Sequence, residues 1–434
     1  MGSLAKLTVL ATTLVLSVQA TTASSESIQL QVFVPVGSAH DTFPGQAHFV
    51  EHLKFLSESN HSYNEFEAIP GGSYNGWTSW LRSGYTFRFP EESLEQALRV
   101  AASLPEPLSL TDAEFKREKS VVKQEIWQGT RSNPDTIHYE EFEAKFYQDT
   151  IFAHLRAGQE EAVEAITPEI AKEWHKTHYE KNAMLVSIHG ELDAPKTKKL
   201  AKAIFPDDSF TILVTDTRTH LAADPELKGF GPFIKPASFS PEPNLAFTME
   251  RMSDVQTAPV IQWSRLYGGD ADWQSHLAHK DVLTALIRSR LKEGLHLILV
   301  DQEQLVSDWY VSIDWVTNGY WEVEFRAVLE EGVLPQTVKS IFDGYFDKLA
   351  NGEISQSNFD RLQRRMLKNY QGKTEQLEKL IWFVTEWSAF HGYDAAMRWP
   401  VDLAGVSKSE IESFVRLFKN PVREGTLIIN PRSN

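Results

Sequence analysis

The chain has 434 residues, of which 42% are hydrophobic and 11% aromatic, and its formal net charge is −16. This length and composition predict a globular protein with more than one domain and exclude a disordered chain. The negative charge disfavours nucleic acid and anionic membrane surfaces as partners, because both repel an acidic protein. The chain has no cysteine, which excludes disulfide bonds and a cysteine nucleophile.

The first twenty residues have the pattern of an export signal. Lys6 precedes an apolar run that ends at Val18, and Val18-Gln19-Ala20 offers a small-x-small cleavage site. We therefore predict a secretory signal peptide at residues 1–20, with an uncleaved anchor as the alternative. An exported protein without disulfides fits a bacterial periplasm, so we predict secretion across the inner membrane and no stable membrane insertion.

The string His48-Phe49-Val50-Glu51-His52 has the spacing of zinc ligands on a helix. His48 and His52 lie one turn apart on one face, and Glu51 shares that face. Neutral imidazole is a good zinc ligand, and a carboxylate beside the bound water can act as its general base. The alternative is a pair of surface or core histidines. A catalytic zinc takes three protein ligands, so the metal interpretation requires a further donor elsewhere.

A charged helix downstream offers such donors. Thr111 and Glu114 form a capping-box pattern, and the helix that they open is predicted to end at Gly129. Glu118 and Glu125 lie seven residues apart, about two turns, and so share one stripe of this helix. The alternative interpretation is a solvated acidic face.

Strands and helices alternate along the rest of the chain. Period-two patterns predict strands at residues 28–34 and 85–89, a further strand is predicted at residues 182–190, and helical patterns cover residues 94–104 and 168–177. A Gly- and Pro-rich stretch at residues 229–238 predicts a linker. The pattern around Glu169 recurs around Glu410, ahead of a strand at residues 427–429, which favours two α+β domains of similar topology.

The order of these motifs resembles that of the insulinase/pitrilysin family of zinc metallopeptidases, the inverzincins. The resemblance rests on the H-x-x-E-H string, the glycine-rich segment Gly71–Ser79, the E-x6-E pair and the segment around residues 166–190. It implies an α+β fold of two similar domains, each a mainly antiparallel sheet with helices packed on one face, forming one half of a clamshell. The metal-bearing domain would span residues 26–228 and a metal-free domain residues 239–434.

The resemblance also implies a role for individual residues. It gives one zinc ion per chain, with Glu51 as general base and Glu118 as a carboxylate that supports a ligand. The implied zinc ligands are His48, His52 and Glu125, and the implied substrate-binding residues are Asn75, Gly76 and Trp77.

One departure from the family concerns its second half. Active members carry an Arg there and, seven residues later, a Tyr; this chain has Val300 and Ser307 at those positions. Valine has no donor and serine is much shorter than tyrosine. Trp309 or Tyr310 is a possible replacement, although a strand aromatic is more often a core residue.

The predicted function follows from these features together. We expect a zinc-dependent endopeptidase that hydrolyses short or unfolded peptides, completed by a partner half that supplies the Arg/Tyr pair. The expected assembly is a heterodimer with a second family member, with a homodimer as the runner-up. The alternative function is a non-proteolytic binding or scaffold member of an envelope complex.

Overall fold

A computed structural model describes ten ranges of the chain. They are residues 27–57, 66–153, 157–179, 184–205, 210–216, 239–291, 293–317, 319–374, 384–385 and 387–432. The predicted signal peptide and the predicted linker lie outside these ranges. No helix in the described ranges combines the length and apolarity needed to cross a bilayer.

The described residues form two compact units. Unit 1 takes its described residues from the spans up to Gly129 and from His154 to Ala222, and unit 2 takes them from Thr130–Ala153 and from Ala223 onward. Residues 130–153, which the sequence analysis placed in the first domain, therefore pack with the second unit. The predicted domain boundaries otherwise stay predictions.

Unit 1 contains a five-stranded sheet with the spatial order β2-β3-β1-β4-β5. Its strands are β1 Ser27–Val34, β2 Ser73–Thr78, β3 Ser83–Pro90, β4 Met184–Gly190 and β5 Phe210–Asp216. Only β4 and β5 pair in parallel. The alternation that predicted β1 has a direct cause, because Ile28, Leu30 and Val32 are fully buried against the helices.

Six helices of the described chain lie in or begin in unit 1. They are α1 Gln46–Leu56, α2 Leu94–Ala102, α3 Asp112–Ser132, α5 Glu160–Ala165, α6 Pro168–His178 and α7 Ala194–Ile204. Helix α3 ends at Ser132 and not at Gly129, so its predicted end was wrong. A single glycine costs a helix only about 1 kcal/mol relative to alanine, which tertiary context overrides here.

Unit 2 contains a second five-stranded sheet with the order β6-β10-β7-β9-β8. Its strands are β6 Leu245–Ser253, β7 Val260–Tyr267, β8 Val306–Thr317, β9 Tyr320–Leu329 and β10 Arg423–Pro431. The two sheets have the same arrangement. Four neighbouring strands pair antiparallel, and a fifth strand at one edge pairs in parallel with the strand beside it. The outer strand is the last in unit 1, β5, and the first in unit 2, β6. The prediction of an α+β protein with two similar, mainly antiparallel domains is confirmed.

The helices of unit 2 mostly cover one face of its sheet. They are α8 Leu277–Ile287, α9 Pro335–Ala350, α10 Gln356–Thr374, α11 Tyr393–Gly405 and α12 Lys408–Val415. One further helix, α4 Thr136–Phe146, lies on the opposite face, where Phe142 packs against Leu427 and Ile429. The second sheet therefore carries helices on both faces, which the sequence pattern did not predict.

Candidate metal centre

Helix α1 carries the H-x-x-E-H string, and a buried aspartate fixes its start. The Asp41 carboxylate accepts hydrogen bonds from the backbone N–H groups of Gly45, Gln46 and Ala47 at 2.8, 3.1 and 2.8 Å. These groups have no partner within the helix, so Asp41 acts as its cap from outside. Sequence analysis missed Asp41, because it lies four residues before the glycine that precedes the helix.

Helix α3 brings the two predicted glutamates to the same place. Its capping box forms as predicted, since Glu114 accepts a hydrogen bond from Thr111 N–H at 2.8 Å and Glu114 N–H donates to Thr111 Oγ1 at 3.2 Å. Burial of Phe115 and Val122 in the core then sets the rotation of the helix. Glu118 lies three residues after Phe115. Glu125 likewise lies three residues after Val122, so both carboxylates lie on the same side of α3.

The two histidines and Glu125 converge. The distance to Glu125 Oε2 is 3.2 Å from His52 Nε2 and 3.7 Å from His48 Nε2. All three ligand atoms lie within 4.8 Å of one another, and no other such group of three occurs in the described residues. A tetrahedral zinc with bonds of ~2.0–2.1 Å separates its ligand atoms by about 3.3 Å. The cluster therefore has the size and the donor chemistry of a zinc site.

The other ring nitrogen of each histidine is held by an oxygen acceptor. His52 Nδ1 lies 2.9 Å from Glu118 Oε1, and His48 Nδ1 lies 3.1 Å from the Ala157 carbonyl oxygen. Each acceptor favours the tautomer with hydrogen on Nδ1, which leaves the Nε2 lone pair free for a metal. Glu118 thus holds the ring of His52, and Ala157 holds the ring of His48 through its backbone carbonyl.

A glycine contact brings the Ala157 carbonyl to the helix. Gly158 has φ +93°, and a Cβ there would lie 2.3 Å from the Gly45 Cα. A side chain at residue 158 would therefore push the loop away from α1 and from His48. Sequence analysis missed this loop, because a backbone carbonyl leaves no residue-type signal.

Glu51 lies against strand β2. Thr78 Oγ1 donates a hydrogen bond to Glu51 Oε2 at 2.8 Å, and Glu51 itself is only 4% exposed. A Cβ at Gly76 would lie 2.2 Å from Glu51 Oε1. The glycine in the predicted substrate segment therefore makes room for the carboxylate. Sequence analysis did not identify Thr78 as a site residue.

The side chains of Asn75 and Trp77 alternate with Gly76 and so point to the other face of the sheet. The Trp77 ring lies 5.7 Å from the Phe33 ring, and the Arg82 guanidinium lies 4.9 Å from the Trp77 ring. The structure therefore brings Gly76 to Glu51 but does not bring these two side chains there. All three belong to β2, whose outer edge pairs with no strand of the described chain.

Burial and mutual charge shift the titration of the cluster. Burial raises the pKa of Glu51 to about 7. Burial and the neighbouring His52 lower the pKa of His48 to about 4. Burial opposes the charge on His52, but its hydrogen bonds with Glu118 and Glu125 outweigh burial and raise its pKa to about 10. A metal that takes the Nε2 atoms of both rings requires them neutral, so its binding would displace a proton.

The positions that depart from the family pattern lie in unit 2. Val300 belongs to a π-helical turn at Leu297–Gln302, and Ser307 is exposed on β8. The nearby aromatics have partners within unit 2. Trp309 Nε1 donates to His296 Nδ1 at 3.1 Å, and the Arg288 guanidinium lies 4.4 Å from the Tyr310 ring.

Comparison with known proteins agrees with this fold. Residues 14–157 match the family model described as insulinase (peptidase family M16), and residues 165–366 match the model described as peptidase M16 inactive domain. The chain belongs to the insulinase family, peptidase family M16. This is a family of zinc proteases, and the cluster of His48, His52 and Glu125 could hold its metal.

The similar proteins include one curated relative and two solved structures of note. The zinc protease PqqE of Helicobacter pylori is 24% identical over 347 residues, covering 77% of this chain and 72% of that protein. A protease structure from Helicobacter pylori has a TM-score of 0.75 at 18% identity and covers 94% of each chain. The periplasmic protease PqqL from Escherichia coli has a TM-score of 0.70 at 15% identity, covering 94% of this chain and 45% of that one. At these identities the structures show the fold alone.

The matched region is often only part of a relative. In several other curated relatives the chain spans about half of the relative's length, for example 45% in one and 49% in another.

Proposed function

We propose that the chain is a zinc-dependent endopeptidase that hydrolyses short or unfolded peptides. The observation that carries this proposal is the convergence of two imidazole Nε2 atoms on the Glu125 carboxylate, with the Glu51 carboxylate on the same helix. His48, His52 and Glu125 would hold one zinc ion. A zinc with three protein ligands keeps a position for water, as a catalytic site needs.

Zinc, when bound, would make a water nucleophilic near neutral pH and polarise the peptide carbonyl. Glu51 would accept the proton of that water and deliver it to the leaving amine nitrogen. Its burial suits a base that works near neutral pH. Glu118 and the Ala157 carbonyl would keep the two imidazoles oriented.

The open edge of β2 is the proposed substrate-binding strand. The Ser79 N–H donates to the Arg82 carbonyl at 2.8 Å, which fixes the alternation of bonded pairs between β2 and β3. By that alternation the backbone groups of Gly76 and Thr78 point away from β3, where an extended peptide could pair with them. Asn75 and Trp77 alternate with these two residues and would belong to the same substrate-binding strand.

We propose that a partner half completes the active site. Neither Val300 nor Ser307 can donate as the Arg/Tyr pair of the resemblance would. The similar PqqL structure is matched over 45% of its chain, and the proposed partner would supply the donors that positions 300 and 307 lack. A heterodimer with a second family member is the expected assembly, and a homodimer is the runner-up. We also propose export to the periplasm through a signal peptide at residues 1–20.

A second candidate function is a non-proteolytic binding or scaffold subunit of an envelope complex. The residues at positions 300 and 307 favour it, as does the description of the C-terminal family model as an inactive domain. The retention of Glu51 favours the peptidase, because a binding subunit has no use for a carboxylate that is not in the metal cluster.

The test is cleavage of a quenched fluorescent peptide library by the mature chain with one equivalent of zinc, alone and with any co-purifying partner. Glu51→Gln should abolish cleavage and keep zinc, whereas the exposed Glu353→Gln control should behave as wild type. Cleavage only with the partner supports the heterodimer. Stoichiometric zinc without cleavage under any of these conditions overturns the peptidase proposal in favour of the scaffold.

A further inference from the structure

Both oxygens of the Glu51 carboxylate lie against strand β2, and one of them is hydrogen-bonded to it. Oε2 accepts the hydrogen of the Thr78 hydroxyl at 2.8 Å, and Oε1 lies where a Cβ of Gly76 would come within 2.2 Å. The terminal torsion of a glutamate is broad when nothing restrains it. Here one oxygen has a donor and the other rests against bare backbone, so the carboxylate plane has little freedom.

A second hydroxyl on the neighbouring strand lies beside that of Thr78. Ser83, its register partner on β3, has its Oγ 3.4 Å from Thr78 Oγ1. Ser83 is fully buried and donates its hydrogen to the Val36 carbonyl at 2.9 Å. Because the serine hydrogen goes to Val36, Ser83 Oγ can only accept from Thr78, and the shorter 2.8 Å contact assigns the Thr78 hydrogen to Glu51.

We propose that Thr78 is a positioning residue for Glu51, so that the strand proposed to bind the peptide also aims the general base. This inference rests on the proposed function. Proton transfer requires a base within about 2.6–3.2 Å of the proton that it takes. The Thr78 hydrogen bond occupies Oε2 and leaves Oε1 as the atom that accepts the proton of the attacking water. Loss of the hydroxyl lets the carboxylate rotate and slows the chemical step, while the backbone edge that binds peptide is unchanged.

The experiment compares three variants with wild type. Thr78→Val removes the hydroxyl and keeps the shape, and Thr78→Ser restores the hydroxyl. Thr211→Val on β5 is the matched control for the loss of a strand threonine hydroxyl, since Thr211 lies on the strand farthest from β2. We expect Thr78→Val to lower kcat about 10- to 100-fold, since a hydrogen bond to a charged group is worth ~1.5–3 kcal/mol. KM should stay within about threefold, and zinc content should stay at one per chain.

A second readout does not depend on turnover. A phosphinic peptide resembles the tetrahedral species of peptide hydrolysis, and the protonated base would donate a hydrogen bond to it. Thr78→Val should weaken its binding about tenfold, whereas binding of the uncleaved substrate to a Glu51→Gln background should be the same with Thr78 or valine.

The outcomes separate the two proposals. A zinc-loaded wild type that neither cleaves peptides nor binds the phosphinic peptide, alone or with any co-purifying partner, overturns the proposed function, and this inference with it. A wild type that does both, together with a Thr78→Val enzyme within twofold of it, overturns the positioning role alone. A Thr78→Ser enzyme as slow as Thr78→Val also overturns it, because the hydroxyl would then not be the cause.

Discussion

His52 on α1 and Glu118 on α3 are joined by a 2.9 Å contact between the imidazole Nδ1 and a carboxylate oxygen. The residues are 66 positions apart in sequence. This contact orients the ring so that its Nε2 faces Glu125, which makes the candidate metal site depend on the packing of two helices.

Replacing Glu118 by alanine should weaken zinc binding about 10- to 100-fold, because the carboxylate orients His52 and increases its basicity. Competition with a chromophoric chelator would measure the affinity. Lys116→Ala, at an exposed position of the same helix, is the control and should bind zinc as wild type does. Equal affinities for the two variants would contradict a supporting role for Glu118.

Gly158→Ala should weaken zinc binding about tenfold, because the new Cβ would meet the Gly45 Cα and move the Ala157 carbonyl away from His48. Gly71→Ala is the matched control: Gly71 also has a positive φ, +76°, but nothing lies within 4 Å of its Cβ position. Both variants carry the strain of a positive φ. Only a larger loss of zinc affinity in Gly158→Ala than in Gly71→Ala therefore supports a role for the close approach of Gly158 to Gly45. The same chelator competition gives the answer.

Asp41→Ala should destabilise unit 1, because the backbone N–H groups of Gly45 and Ala47 lose their acceptor and Gln46 N–H keeps only the Phe43 carbonyl. Loss of a helix cap costs about 1–2 kcal/mol, which lowers the Tm of a 150–250-residue unit by about 2–8 °C. Calorimetry of the metal-free protein would measure the change in Tm. Asp347→Ala, at an exposed position of α9, is the control and should leave Tm unchanged. An equal drop in Tm for both variants would contradict the role of Asp41 as a helix cap.

Glu322 should make the stability of unit 2 depend on pH. Burial and the nearby Glu324 raise its pKa to about 8, while the Tyr147 hydroxyl donates to it at 2.5 Å. Because the folded-state pKa lies above the unfolded value, the folded state binds more protons between about pH 4.5 and 8, and stability falls as pH rises through that window.

Glu322→Gln removes the titration and keeps an acceptor for Tyr147. The difference in unfolding free energy between variant and wild type should shift by at least about 1 kcal/mol in favour of the variant from pH 5 to pH 8, since one pKa unit corresponds to ~1.4 kcal/mol. Urea unfolding at the two pH values measures it. A constant difference would mean that Glu322 does not titrate in this window.

The parts of the fold that sequence predicted are those set by local periodicity. The alternation in β1 and the capping box of α3 each involve residues within a few positions of one another, so one sequence contains the whole signal. The pairing of β4 with β5, or of β10 with β6, joins distant segments, and no local pattern encodes it. Similarly, α4 was placed in the first domain because its partners on β10 are almost 300 residues away.

The candidate site divides in the same way. His48, Glu51 and His52 were found from spacing on one helix, whereas Glu125 needed the resemblance to a family because its helix is remote. Thr78 and Ala157 were missed, since they contact Glu51 and His48 across 27 and 109 positions. Gly76 was assigned to substrate, and its closeness to Glu51 became visible only when strand and helix were packed together.

The place of β10 in the second sheet has a consequence for biosynthesis. Although it is the last described strand, β10 lies between β6 and β7 and bonds to both. A ribosome-bound chain that ends before residue 423 would therefore expose two unpaired strand edges, and β6 would have no neighbour among the described strands. The second unit can close only after translation has passed Pro431, so loss of about ten residues there would leave an aggregation-prone chain and not a frayed terminus.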